Sequence, residues 1–246
     1  MASAATAKQW FEDGKVREAT KELTFYLRDC PADTTQRIFL FELLCFAGDF
    51  DRAEKQLAVL AQGSSQAELG AVLYYSALHA EKIRHQTFEK QEFSSPGAIV
   101  SPTGTLNGRH FQSLRDADPD LGPRLEVFAA GAYLWIPFEH IESVQVKPPR
   151  RLRDTLWAPA IIRTAPSFKS MELGEVLIPL IYPFSWRNSD ESVWLGRTTV
   201  WAADEQEVAY PSGQKILQMD GEEVSFLEVR SLDFSAARAV TPAAAG

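Results

Sequence analysis

Three aspartates at alternate positions, Asp116, Asp118 and Asp120, are the group in this sequence best suited to chemistry. Carboxylates so spaced open calcium-binding loops, where they supply the first oxygen ligands. Such a loop needs a glycine and a bidentate glutamate downstream, and Gly122 and Glu126 stand at the wrong intervals for it. Asp118-Pro119 and Gly122-Pro123 read instead as a structural turn. The histidines offer little more. His79 and His85 share one helical segment but point to opposite faces, and His110 and His140 have no Cys or His at ligand spacing. There is no Gly-Lys-Ser/Thr loop, no dinucleotide-binding glycine turn and no Gly-x-Ser-x-Gly elbow. Arg153-Asp154 is a charged pair in apolar company, between Leu152 and Leu156, and sequence neighbours seldom face each other, so each is expected to bond elsewhere. No catalytic residue, cofactor or metal is therefore assigned. An enzyme stays as an alternative only if Asp116, Asp118 and Asp154 converge in the fold.

The chain that must position these groups has 246 residues, 45% hydrophobic and 24% charged, enough for a sizeable globular core. Its formal charge of -8 opposes nucleic acid and anionic lipid, despite a local basic patch at Lys147, Arg150, Arg151 and Arg153. Cys30 and Cys45 are expected to be two buried thiols rather than a disulfide, which suits a reducing compartment. No charged start leads into an apolar run, and no stretch nears the ~18 apolar residues of a membrane span. The expected location is the cytoplasm, with no membrane partner.

Hydrophobic spacing divides the chain. Residues 1–93 follow a helical period: Ala7, Trp10 and Phe11, then Val16, Ala19, Leu23 and Leu27 up to Pro31, then Ile38, Phe41, Leu44 and Cys45 up to Gly48. Asp33 with Gln36 and Ser65 with Glu68 are candidate caps. Gly48 follows Gly14, Ala53 follows Ala19 and Leu57 follows Leu23, each by 34 residues, which is the tetratricopeptide period. Glycine permits the turn between paired helices, and alanine lets their backbones approach. Residues 94–108 are rich in Ser, Pro and Gly and read as a linker. Residues 109–234 alternate with a period of two, with a hairpin about Ala130-Gly131 and strands at Val144–Val146, Val176–Tyr182, Thr198–Trp201, Lys215–Gln218 and Val224–Leu232. Residues 235–246 read as a flexible tail. The expected class is α+β, a tetratricopeptide-like helical domain followed by a compact antiparallel β-rich domain.

Beyond period and composition, the order of particular residues is informative. Arg37 to Leu57 (RIFLFELLCFAGDFDRAEKQL), Asp116-Ala-Asp118 with Leu121-Gly122-Pro123 and Glu126, Trp135-Ile136-Pro137, and Leu152-Arg153-Asp154 with Trp157 and Pro159-Ala160 follow one another. Ile178-Pro179, Tyr182-Pro183, Arg197-Thr198 with Trp201, Gly213-Gln214 and Glu228-x-Arg230 complete the series. In that order the chain resembles the ImpE/TagJ accessory family of bacterial type VI secretion systems. The resemblance implies a non-catalytic subunit associated with the small contractile-sheath subunit (TssB-type) and the ClpV-type ATPase that recycles the sheath. Stacked helix pairs leave a hollow that receives an amphipathic helix, and Arg37, Phe41 and Glu42 are expected to line it. Arg153 and Trp157 are expected to form a second contact pair on the β-rich half, because arginine and large aromatics dominate binding hot spots. A homodimeric scaffold without a peptide groove is the remaining alternative.

Overall fold

The computed structural model describes residues 2–91, 102–165 and 173–235. Its front half is helical: α1 (Ala4–Glu12), α2 (Val16–Asp29), α3 (Thr34–Phe46), α4 (Phe50–Ala61) and the long α5 (Ser65–Lys90). Capping decides where these helices begin. The Asp33 carboxylate accepts the Gln36 amide at the start of α3, as the sequence implies. At α5 the cap is Ser64, which accepts the Ala67 amide, one residue before the expected Ser65.

The 34-residue spacing recurs in three dimensions. Gly14 and Gly48 both take a left-handed φ, +77° and +70°. The amide after each glycine, on Lys15 and Asp49, donates to the carbonyl of Trp10 and Leu44 respectively. This is the closing pattern of a helix ended by a left-handed glycine. Ala19 and Ala53 are fully buried where helix backbones approach. The glycines also leave room for a distant part of the chain. A Cβ on Gly48 would stand 2.4 Å from the Trp186 ring, and one on Gly14 would stand 3.0 Å from the Ser192 hydroxyl.

The rear half is built on one antiparallel eight-stranded sheet. Its strands are β1 (Gly104–Leu106), β2 (Arg109–Phe111), β4 (Arg124–Ala129), β5 (Ala132–Pro137), β6 (Ile141–Val146), β7 (Trp157–Thr164), β8 (Gly174–Pro179) and β13 (Ser231–Phe234), in the order β2-β1-β13-β6-β7-β8-β4-β5. β3 (Leu114–Asp116), β11 (Ile216–Met219) and β12 (Glu222–Ser225) make a second sheet, and β9 (Thr199–Ala203) with β10 (Ala209–Gly213) makes a hairpin. The β4–β5 turn falls at Ala130-Gly131, both at positive φ, where the alternation places it. Two expectations change. The supposed linker 94–108 contains strand β1, paired with β13, while its residues up to 101 lie outside the described ones. The single strand expected over Val224–Leu232 is two, β12 and β13, split by a short 3-10 turn at Phe226–Glu228. The tail beyond 235 also lies outside the described residues.

Every residue of β4 is buried, because both of its faces are covered. Leu125, Val127 and Ala129 enter a core between the sheets, with Val144, Ala160 and Ile178. Phe128, from the other face, joins Trp157, Leu177 and the helices in a second core. Helical and β halves thus share apolar packing rather than meeting across a solvated boundary.

Candidate functional site

The five residues expected to touch a partner are placed very differently from one another. Phe41, Glu42, Arg153 and Trp157 come together, but inside the molecule, each less than a tenth exposed. A 3-10 turn at Leu152–Thr155 presses Arg153 against α3 and α5. Its guanidinium donates to Glu42 Oε1 at 2.6 Å and to the Tyr74 hydroxyl at 2.6 Å, and lies over the Tyr74 ring. Burial raises the Glu42 carboxyl, and Arg153 offsets much of that. Phe41 meets Tyr74 edge-on, and the Trp157 indole N–H donates to Glu81 Oε2 at 2.8 Å. The helical face expected to lie open at Phe41 and Glu42 is therefore covered by the chain's own β half. Arg37 stands apart and half-buried, donating to Gln56 and to the Pro31 carbonyl. The basic patch is likewise divided, since Lys147 pairs with Glu175 while Arg153 is buried.

A longer chain of buried charge runs beside this joint. Arg84 of α5 grips Glu126 of β4 with two parallel hydrogen bonds, at 2.7 and 3.0 Å, and reaches Glu81 at 2.9 Å. Lys215 lies 2.5 Å from Glu126 and 2.6 Å from Asp116. The hydroxyls of Tyr133 and Tyr182 donate to Glu126 and Asp116. Burial by itself would raise the Glu126 carboxyl, but Arg84 and Lys215 outweigh it and hold the group at about 2. Burial would likewise lower the Lys215 ammonium, and Asp116 and Glu126 keep it charged. Asp118 is pushed up to about 7, by burial and then by the neighbouring Asp116. His85, one residue on from Arg84, falls to about 2 through burial and the Arg84 charge. It packs between Phe50, Phe184 and Trp186.

Asp116 and Asp118 do make the expected turn, Asp116 Oδ1 accepting the Asp118 amide and Asp118 Oδ1 the Asp120 amide. Asp154 does not join them; its carboxylate caps the Arg150 and Arg151 amides. Glu81, Arg84 and Lys215 were missed, yet two of them left a signal. Glu81 and Arg84 continue the buried face of Ala77 and Ala80 at helical spacing, a place where only a paired charge is stable. Of the two cysteines, Cys45 is buried but Cys30 is exposed.

The open surface lies at the other end of α5. Leu69, Val72 and Leu73, spaced as one helical stripe, are 75%, 57% and 50% exposed. They flank a groove of 560 Å³ whose floor includes Tyr74, Phe128, Trp157 and Leu177. Along β7 the face that begins with buried Trp157 continues through Pro159 to Ile161, which is 49% exposed. Lys147, Glu175 and Asp154 supply charge at the rim. Trp157 and Arg153 thus support the groove from beneath, Arg153 by holding Tyr74. The arrangement can seat an apolar strip flanked by polar groups, the surface an amphipathic helix presents. No helix among the described residues is long and apolar enough to cross a membrane.

A sequence profile of the ImpE protein family matches residues 108–233. The chain is 28% identical to the type VI secretion system accessory component TagJ of Pseudomonas aeruginosa, over 94% of this chain and 92% of that protein. A crystal structure of a Vibrio parahaemolyticus protein superposes with a TM-score of 0.81 at 20% identity, covering 94% of this chain and 97% of the other.

Proposed function

The chain belongs to the ImpE family, and from that premise we propose that it works in the cytoplasm as a non-catalytic accessory subunit of a type VI secretion system. Its likeness to a named accessory component supports the accessory role. Its task is to dock an amphipathic helix of the small contractile-sheath subunit, the ClpV-type ATPase being the second partner. The tetratricopeptide-like helix pairs act as the frame that presents the site. One observation carries the reading: the Leu69, Val72 and Leu73 stripe stands exposed above an apolar groove. Burying such a stripe is worth about 25 cal/mol per Å² of apolar surface, which a soluble protein gains only by covering it.

Co-purification of the tagged chain with the small sheath subunit tests this. Leu69→Asp combined with Val72→Asp is expected to abolish capture while leaving the thermal midpoint unchanged. Undiminished capture by that variant removes the groove from the account. Arg37, the half-exposed member of the expected helical face, is tested in the same assay by Arg37→Glu. Should the free protein be a dimer that the double aspartate variant makes monomeric, the groove is a homodimer face instead.

A further inference from the structure

A second groove, in the helical half, differs from the first in its charge. It lies between α2, the end of α3 and the start of α4, with a volume of 380 Å³, within the ~300–1,000 Å³ of ordinary binding clefts. Its floor is apolar: Leu44, Ala47 and Trp194, with Phe25 at the edge and 41% exposed. Its rim is cationic: Arg17, Lys21 and Arg52. Two of these are held in place. Arg17 pairs with Glu191 at 2.8 Å and stacks over Trp194, and Arg52 pairs with Asp49 at 3.0 Å and donates to the Thr24 hydroxyl. Lys21 has no ion-pair partner among the described residues. Beneath it Thr20, 7% exposed, lines the same groove, and its hydroxyl has no hydrogen-bond partner among the described residues. Three cations against two carboxylates leave this rim positive on a chain whose net charge is -8.

We propose that this groove binds a short acidic peptide segment of a partner protein, with one bulky apolar residue seated between Phe25 and Trp194. The carboxylates of such a segment would meet Lys21 and Arg52, and its side chain would cover the apolar floor. A nucleic acid would bring phosphates at regular spacing but would meet a repelling surface beyond the rim, since the remainder of the molecule is acidic. An acidic peptide needs only the local field. This site is independent of the α5 groove and of the identity of any partner there.

The test uses the full chain labelled with ¹⁵N, titrated with a synthetic Asp/Glu-rich peptide bearing one phenylalanine. A matched peptide with Lys in place of the acids and a single-stranded oligonucleotide are titrated in parallel. The expected result is saturable shifts confined to Thr20, Lys21, Thr24, Phe25 and the Leu44–Arg52 stretch, with the acidic peptide only. Lys21→Glu, at a side chain with no ion-pair partner among the described residues, is expected to weaken binding about tenfold, and raising salt to weaken it further. Phe25→Ser is expected to weaken it severalfold without changing its salt dependence. Equal binding of the acidic and basic peptides, shifts that map to Leu69–Leu73, or an oligonucleotide that binds as well as the peptide overturns the proposal. So does the absence of saturable shifts at millimolar peptide.

Discussion

The two ends of α5 reverse the usual distribution of polarity. Toward its C-terminus, Glu81, Arg84 and His85 are buried, while toward its N-terminus Leu69, Val72 and Leu73 face solvent. At the first end Arg84 has found its partner on β4 and Glu81 on β7, and the apolar residues at the second have found none within the described chain. The contrast separates what the molecule uses to hold its halves together from what it leaves for another molecule. Sequence reasoning that looks for charged contact residues is drawn to the first end, where Glu42, Arg153 and Trp157 also lie. The available surface is at the second.

The contrast is most sharply tested by removing Arg84. Arg84→Met leaves Glu126 and Glu81 buried without their shared cation, and a loss of about 3–5 kcal/mol is expected in chemical denaturation. A loss under about 1 kcal/mol would mean that water reaches the cluster.

Acidity probes the same end. Asp118 in the folded protein titrates at about 7 against 3.8 ordinarily, so between those values the folded state holds a proton that the unfolded chain has released. Its contribution makes stability fall as pH rises through that window. His85 at about 2, against 6.5, works oppositely: the unfolded chain accepts a proton that the folded one refuses, so stability falls as pH drops below 6.5. Each slope approaches about 1.4 kcal/mol per pH unit, and the two oppose between pH 4 and 6.5. Asp118→Asn is expected to leave stability climbing with pH there, and His85→Gln to leave it falling. Denaturation midpoints across that range check both signs, and parallel curves would count against the burial of either group.

Smaller effects test the close approach of Trp186 to the Gly48 turn. Gly108→Ala bears only the left-handed backbone cost, about 1–2 kcal/mol, because a Cβ there meets nothing. Gly48→Ala bears that cost and collides with Trp186, so it should lose about 1–3 kcal/mol more. Least of all, Leu69→Ser with Val72→Ser should alter stability by no more than about 0.5 kcal/mol, since these side chains are exposed. A large loss in that variant would make the stripe part of the fold rather than a docking face.

Much of the local structure was legible. Gly14 and Gly48 announce two helix ends, Asp33 a helix start, and Ala130-Gly131 a hairpin, because each depends on φ or a cap within a few residues. The site was legible only in outline. Arg153 and Trp157 stood out by composition, but their Glu42 and Glu81 partners lie 111 and 76 residues away. The exposed stripe on α5 looked like any buried helical face, since spacing reports that a face exists and not what covers it.

By itself, then, the chain's order of residues determined its α+β division and the 34-residue recurrence of turns. Tertiary structure alone decided that Arg84 and Lys215 neutralise Glu126, that Arg153 faces inward, and that Leu69, Val72 and Leu73 remain uncovered. The reason is one of range. Turns and caps are closed by near neighbours, whereas removing a charge or a methyl group from water requires partners that only the folded chain brings close.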